Sequence, residues 1–309
     1  MIKKYGKLLI SLGSVLVLLI FLLMAFDRSA SVSVPTAVTY LEQNWTNEDR
    51  AYFYFADQGS RLIPYDYFLH LEQADDMQAF RADANMTRLG FIPTGKSANN
   101  PDGLPIGLGR HDGYLAPTCA ACHTQQLRYQ GETIVIDGGQ GLINLNQFLN
   151  DLTASLKATL DDSEKFGRFQ ENVLGSKATE AQKARLKKDL QAVYEKRSAY
   201  QVQQHTDLAA GYARLDAFGA ILNQALLATG VEGNRVTPTA PTSIPFIWDT
   251  PQHDYVEWNG SQTNTVVGAL ARNIGEMIGV FGDVDIEAKK WLDWVDGGVC
   301  FFDSNARVT

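Results

Sequence analysis

The pentapeptide Cys119-Ala120-Ala121-Cys122-His123 constrains this chain more than any other stretch. Two cysteines separated by two residues and followed at once by histidine form the spacing at which c-type haem is attached covalently. On a helical turn the thiols reach the two vinyl groups of one porphyrin as thioethers, and the imidazole turns to the iron as its proximal ligand. A chain built this way must fold around a large, flat, apolar group. A zinc site would need two further Cys or His ligands at short spacing, and the remaining cysteine, Cys300, lies far downstream, where it reads as a lone buried thiol. A redox dithiol would sit in a βαβ context, whereas this motif follows a Gly- and Pro-rich stretch from Pro101 to Pro117. The motif predicts one covalent haem c on Cys119 and Cys122, with His123 on the iron.

The N-terminus carries an export signal. Lys3, Lys4 and Lys7 precede an apolar run from Leu8 to Phe26, diluted by Ser11, Gly13 and Ser14. That run is longer than the h-region of a cleavable signal and close to the length of a spanning helix. With the lysines before it, the positive-inside rule places everything after Asp27 on the far side of the membrane. The expectation is a signal anchor over residues 1–28, a linker over 29–37, and residues 38–309 in the periplasm at the bacterial inner membrane. The alternative is cleavage near Ser29-Ala30-Ser31, which gives a secreted or periplasmic protein. Either route agrees with covalent haem attachment and with sparse cysteine use.

A net charge of −8 over 309 residues argues against nucleic acid as a partner and suits a redox partner protein or a small-molecule electron donor. A 45% hydrophobic composition supports one substantial core or two modest ones.

The residue pattern predicts a mainly helical fold with long irregular loops. Helices are expected over Val38–Phe55, Asp76–Asn85, Leu142–Leu160, Thr179–Gln203, Asp207–Thr229, Leu270–Val280 and Glu287–Val295. Ile63–Leu71 reads equally as a short helix or an extended stretch. Phe91–Pro117, with five Gly and four Pro, and the Pro- and aromatic-rich Thr237–Trp258 read as loops. Thr133–Ile136 reads as a strand ended by Asp137-Gly138-Gly139. The charged stretch 161–205 reads as a helical insertion whose Thr179–Gln203 helix is solvated and held by i,i+4 pairs.

An electron-transfer haem takes a second axial ligand, normally Met or His. No Met follows the motif at close range, the next being Met277. His111 and His253, in irregular stretches, are possible pocket residues, and each is also explained as a hydrogen-bonded histidine. Trp248 and Trp258 are possible relays or pocket walls, though buried aromatics usually only pack.

Four segments together carry a more specific signal: Leu115–Leu152 around the haem motif, Arg214–Asn223 (RLDAFGAILN), Ile244–Gly260 (IPFIWDTPQHDYVEWNG) and Ala271–Phe281 (ARNIGEMIGVF). In this order they resemble bacterial dihaem cytochrome c peroxidases, in the branch that includes the rubber oxygenases. The resemblance implies a cytochrome c-like helical haem domain over 38–309, a second haem domain in relatives, and peroxide or oxygen chemistry at one haem with electrons supplied or stored at the other. Only the first haem carries over residue by residue, to Cys119, Cys122 and His123. A second C-x-x-C-H is absent, and the ending from Phe301 to Thr309 resembles sequence before the second haem domain, so the expectation is an N-terminal portion of such an oxidoreductase. The alternative is a membrane-anchored monohaem protein that only passes electrons.

Overall fold

The computed structural model describes residues 38–230, 232–284 and 295–296. The chain divides into two units. Residues 1–39 with 128–133 form the smaller, whose described part includes a tight turn with Gln130 and Gly131 at φ 50° and 86°. Residues 40–127 with 134–309 form the larger, which carries the site.

The fold is not mainly α. Helices α1 (Asn47–Phe55), α2 (Tyr65–His70), α3 (Asp83–Arg88), α4 (Cys119–Cys122), α5 (Leu145–Asp161), α6 (Ser163–Leu174), α7 (Glu180–Gln203), α8 (Ala217–Thr229) and α9 (Val266–Gly279) alternate with short strands. These are β1 (Val38–Tyr40), β2 (Ile63–Pro64), β3 (Leu108–His111), β4 (Tyr114–Pro117), β5 (Thr124–Tyr129), β6 (Glu132–Asp137), β7 (Arg214–Leu215), β8 (Thr242–Ser243), β9 (Tyr255–Val256), β10 (Gln262–Thr263), β11 (Asp283–Val284) and β12 (Val295–Asp296). The architecture is a mixture of helices and several small antiparallel sheets, which corrects the expected cytochrome c-like helical domain. Buried backbone amides need partners, and stretches read as loops find them by pairing. The Gly-rich segment before the motif is a hairpin in which Leu108 faces Pro117 and His111 faces Tyr114. Asp112 and Gly113, at φ 45° and 81°, form its turn, the Asp-Gly signature of a type I′ connection.

Other expectations shift for local reasons. The helix expected from Val38 starts only at Asn47, where Thr46 and Asp49 form a reciprocal capping box. Asp207–Thr229 is helical only from Ala217, because Asp216 caps it there, and Asp76–Asn85 yields only α3. The ambiguous Ile63–Leu71 is both things, strand β2 running into α2. Segment 161–205 folds as α6 and α7, but α7 is no solvated rod: Leu186, Leu190 and Tyr200 join the main core.

That core is aromatic. Phe68, Phe80 and Phe148 are fully buried, with ring centroids 5.9 Å apart for Phe68–Phe80 and 5.8 Å for Phe80–Phe148, and Phe91 meets Phe148 at 5.1 Å. Leu152 and Leu156 extend it along α5 at helical spacing.

No helix among the described residues is long and apolar enough to cross a membrane, so none of them supplies the expected inner-membrane anchor. The span read over Leu8–Phe26 lies outside the described residues, as do the Glu287–Trp294 part of the last expected helix and Cys300.

Candidate functional site

The C-x-x-C-H motif opens with a single helical turn clamped on both sides by glycine. The Thr118 amide donates to Gly107 O at 2.9 Å and the Thr118 hydroxyl to Tyr54 O at 3.0 Å, tying the start of α4 to the hairpin and to α1. Gly107 has φ 92°, and a side chain there would place its Cβ 2.2 Å from Ala121 Cα. Across the turn, the Gly141 amide donates to Cys122 O at 2.7 Å, and a Cβ on Gly141 would lie 2.6 Å from that oxygen. Ala120 and Ala121 are buried, so the intervening positions must be small and apolar, while Cys119, Cys122 and His123 line the neighbouring cavity together with Ala121. No disulfide joins Cys119 to Cys122.

His123 ends α4. Its Nδ1 donates to Pro245 O at 2.8 Å. A carbonyl only accepts, so the proton sits on Nδ1 and the Nε2 lone pair is left for a metal, the usual second-shell device for orienting a ligating imidazole. Burial holds the His123 pKa below its ordinary value, against the Pro245 bond, which raises it. The ring is therefore kept neutral, as ligation requires. The Cys122 thiol is pushed up to about 11, mainly by burial and further by the Glu276 carboxylate.

These three side chains open into a cavity of about 1310 Å³, beyond the roughly 300–1,000 Å³ of ordinary small-molecule sites. Its walls are apolar: Phe91, Leu108 and Phe148 on the core side, Phe218 and Ile221 from α8, Leu270 and Ile274 from α9. Among the described residues that line it there is no methionine; Met277 is buried outside it. The described residues also offer no group of three or more His, Cys, Asp or Glu side chains able to hold a metal ion directly. An apolar cavity lined by two thiols and a tautomer-fixed imidazole fits the donor set and size of a haem c.

Of the other candidates, Trp248, His253 and Trp258 all line the cavity. Trp248 is held by its Nε1–H, which donates to Asp137 O at 2.7 Å, and it stacks on Phe246 at 4.9 Å. Trp258 meets Phe218 edge-on at 6.3 Å. His253 keeps Nε2 at 3.1 Å from an Asp249 oxygen. His111 is not brought to the site: it sits on β3 with Nδ1 at 2.8 Å from Asp57, as a partnered histidine of the hairpin.

Sequence reasoning missed the residues that hold this geometry. Asp137 is buried and accepts hydrogen bonds from Arg50 Nε at 2.8 Å and from the Tyr54 hydroxyl. It thereby fixes α1 to the turn on which Trp248 rests. Gly138, at φ 73°, leaves room for that indole, since a Cβ there would lie 2.8 Å from Trp248 Cδ1; this gives the Asp-Gly-Gly turn its reason. The polar positions of RLDAFGAILN are structural. Asp216 accepts from Gly219 at 3.0 Å and from Ala240 at 2.9 Å, while Asn223, fully buried, bridges Gln203 O and Val236 through its amide. Glu257, Arg272 and Glu276 also line the cavity, and no spacing in the sequence announced them.

No protein-family model matches the chain, and no solved structure matches it. The chain is similar to an uncharacterized protein of Sinorhizobium fredii, y4iJ, at 32% identity over 292 residues, an alignment covering 82% of this chain and 47% of that protein. The chain thus spans about half the length of this curated relative.

Proposed function

We propose that the chain is a c-type haem-binding redox protein, similar to the N-terminal portion of a dihaem peroxidase- or oxygenase-like oxidoreductase. The observation that carries this reading is the His123 ring, fixed through Nδ1 on Pro245 O with Nε2 left for a metal, beside two unbridged cysteines at the edge of an apolar cavity. Cys119 and Cys122 hold the porphyrin covalently, His123 ligates the iron, and the apolar walls exclude water. When bound, the haem supplies one-electron chemistry at iron. Trp248 and Trp258 on the wall would carry an electron from a redox partner protein or a small-molecule donor, and the cavity would admit peroxide or oxygen to the group that His123 holds.

The test is acid-acetone extraction followed by a pyridine haemochrome spectrum of protein made in a host with c-haem maturation. Haem stays with the wild-type protein and is lost from a Cys119→Ala, Cys122→Ala variant; extractable haem in the wild type overturns the reading.

His253 on the cavity wall favours a second reading, an electron carrier in which its imidazole closes the sixth position. A low-spin ferric spectrum that turns high-spin in His253→Ala supports the carrier; a ferric spectrum that is high-spin with and without the substitution supports an open site.

A further inference from the structure

Three charged side chains break the apolar wall of the cavity at one place: Glu257 after β9, and Arg272 and Glu276 one turn apart on α9. The Arg272 side chain is only 9% accessible, its Nε lies 4.0 Å from Glu276 Oε1, and its Nη1 is buried with no hydrogen-bond partner. A guanidinium nitrogen left unmatched in such a place costs free energy unless something anionic meets it. The Glu276 side chain is 41% accessible, yet burial is the main cause that lifts its pKa to about 7, with Glu257 adding and Arg272 opposing. Both statements hold because the carboxylate looks into the cavity rather than into bulk water. Burial likewise raises Glu257, against Arg272. Glu276 in turn raises the Cys122 thiol, so its charge is felt at the sulfur that would bond to the porphyrin.

We propose that Glu276, set between Glu257 and Arg272, is a proton-exchange site coupled to the electron on the iron. The proposal rests on the haem reading. One electron from an external one-electron donor reduces ferric to ferrous iron; the added negative charge acts on the carboxylate through a low-dielectric cavity. Glu276 then takes up one proton from solvent, and its O–H bond breaks again when the iron is reoxidised. Charge balances as one electron and one proton in each direction. The charged and titratable groups acting on Glu276 are Glu257, Arg272 and Cys122, the last removed from titration by the thioether, as Cys119 would be; Glu42, His123, Tyr200, His253 and Tyr255 also face the cavity.

The test is a spectroelectrochemical titration of the haem-loaded full chain from about pH 5 to about pH 9, a range that brackets a carboxylate shifted this far. The midpoint potential is expected to fall with pH around neutrality, with a slope approaching ~59 mV per pH unit, the value for one proton per electron. Glu276→Gln flattens this slope. Glu257→Gln, which removes a like charge, keeps the slope and moves it to lower pH, and Arg272→Gln moves it to higher pH. A haem-loaded wild type with a flat potential, or a slope that survives Glu276→Gln, overturns this proposal alone. Absence of covalent haem overturns the haem reading and this proposal with it.

Discussion

The Phe68–Phe80–Phe148 core and the Trp248–Trp258 cavity wall draw on the same kinds of residue and put them to opposite uses. In the core, each ring is fully buried and has another ring within 6 Å. On the cavity wall, Phe246, Trp248 and Trp258 stay about half exposed although they line the same cavity as Cys119, Cys122 and His123. Large apolar side chains close to each other normally close the space between them, because burial is the main favourable force in folding. These do not, since rigid anchors hold the walls apart: Trp248 is tied to Asp137 O, Asp137 to Arg50 and Tyr54, and Ile247 to Gly138 O. The first region is packed for stability, and the second lines an open cavity.

Phe148 is the sharpest way to break that contrast, because it belongs to the core and also lines the cavity. Phe148→Ala is expected to cost about 3–5 kcal/mol in urea unfolding, haem-loaded or not. A loss confined to the haem-loaded form would make Phe148 a pocket residue first. Asp137→Ala leaves Arg50 and Tyr54 without their shared acceptor and is expected to cost about 3 kcal/mol, with a drop in haem incorporation as the wall collapses. If incorporation is unchanged, the anchor is not what keeps the cavity open.

Trp248→Ala sharpens the comparison from the other side. Without haem it is expected to cost about 1 kcal/mol, the worth of one hydrogen bond; in the haem-loaded protein the loss grows by roughly 2 kcal/mol, as for a large apolar side chain taken out of contact. Equal losses in both forms would show that the indole only packs.

The smallest effect concerns pH. Glu276 has a folded-state pKa raised above its unfolded value of 4.5, to about 7. Its contribution to stability is fully present below pH 4.5 and is lost as pH rises through about 7. Glu276→Gln is therefore expected to match the wild type in melting temperature at acid pH and to exceed it modestly above neutrality. A gap that is constant across the range would mean that the carboxylate does not titrate there.

The C-x-x-C-H motif was legible from its spacing and the helix around Leu152 from apolar residues that recur at helical intervals, whereas the helix around Tyr200 was legible only from its helix formers and its buried face was not. The hairpins were not: a run of Gly and Pro looks the same whether or not its amides pair, and Asp112-Gly113 is a turn signal only once Leu108 and Pro117 are seen to face each other. Among the site candidates, sequence alone treated His111 and His253 alike, each in an irregular stretch. Tertiary contacts separated them, sending His111 to Asp57 and His253 to the cavity.

What the sequence determined by itself is local chemistry: two cysteines and a histidine at haem spacing, caps such as Thr46 with Asp49, and helix-period apolar faces. All of these depend on residues within a turn or two of one another. What only the tertiary structure decided is long-range. Pro245 lends His123 its carbonyl from 122 positions away, Asp137 gathers Arg50 and Tyr54 from more than 80, and Glu257 acts electrostatically on Arg272 and Glu276 at the cavity wall. A backbone carbonyl leaves no trace in residue identity, and a carboxylate's proton affinity depends on the walls around it; both are properties of the fold.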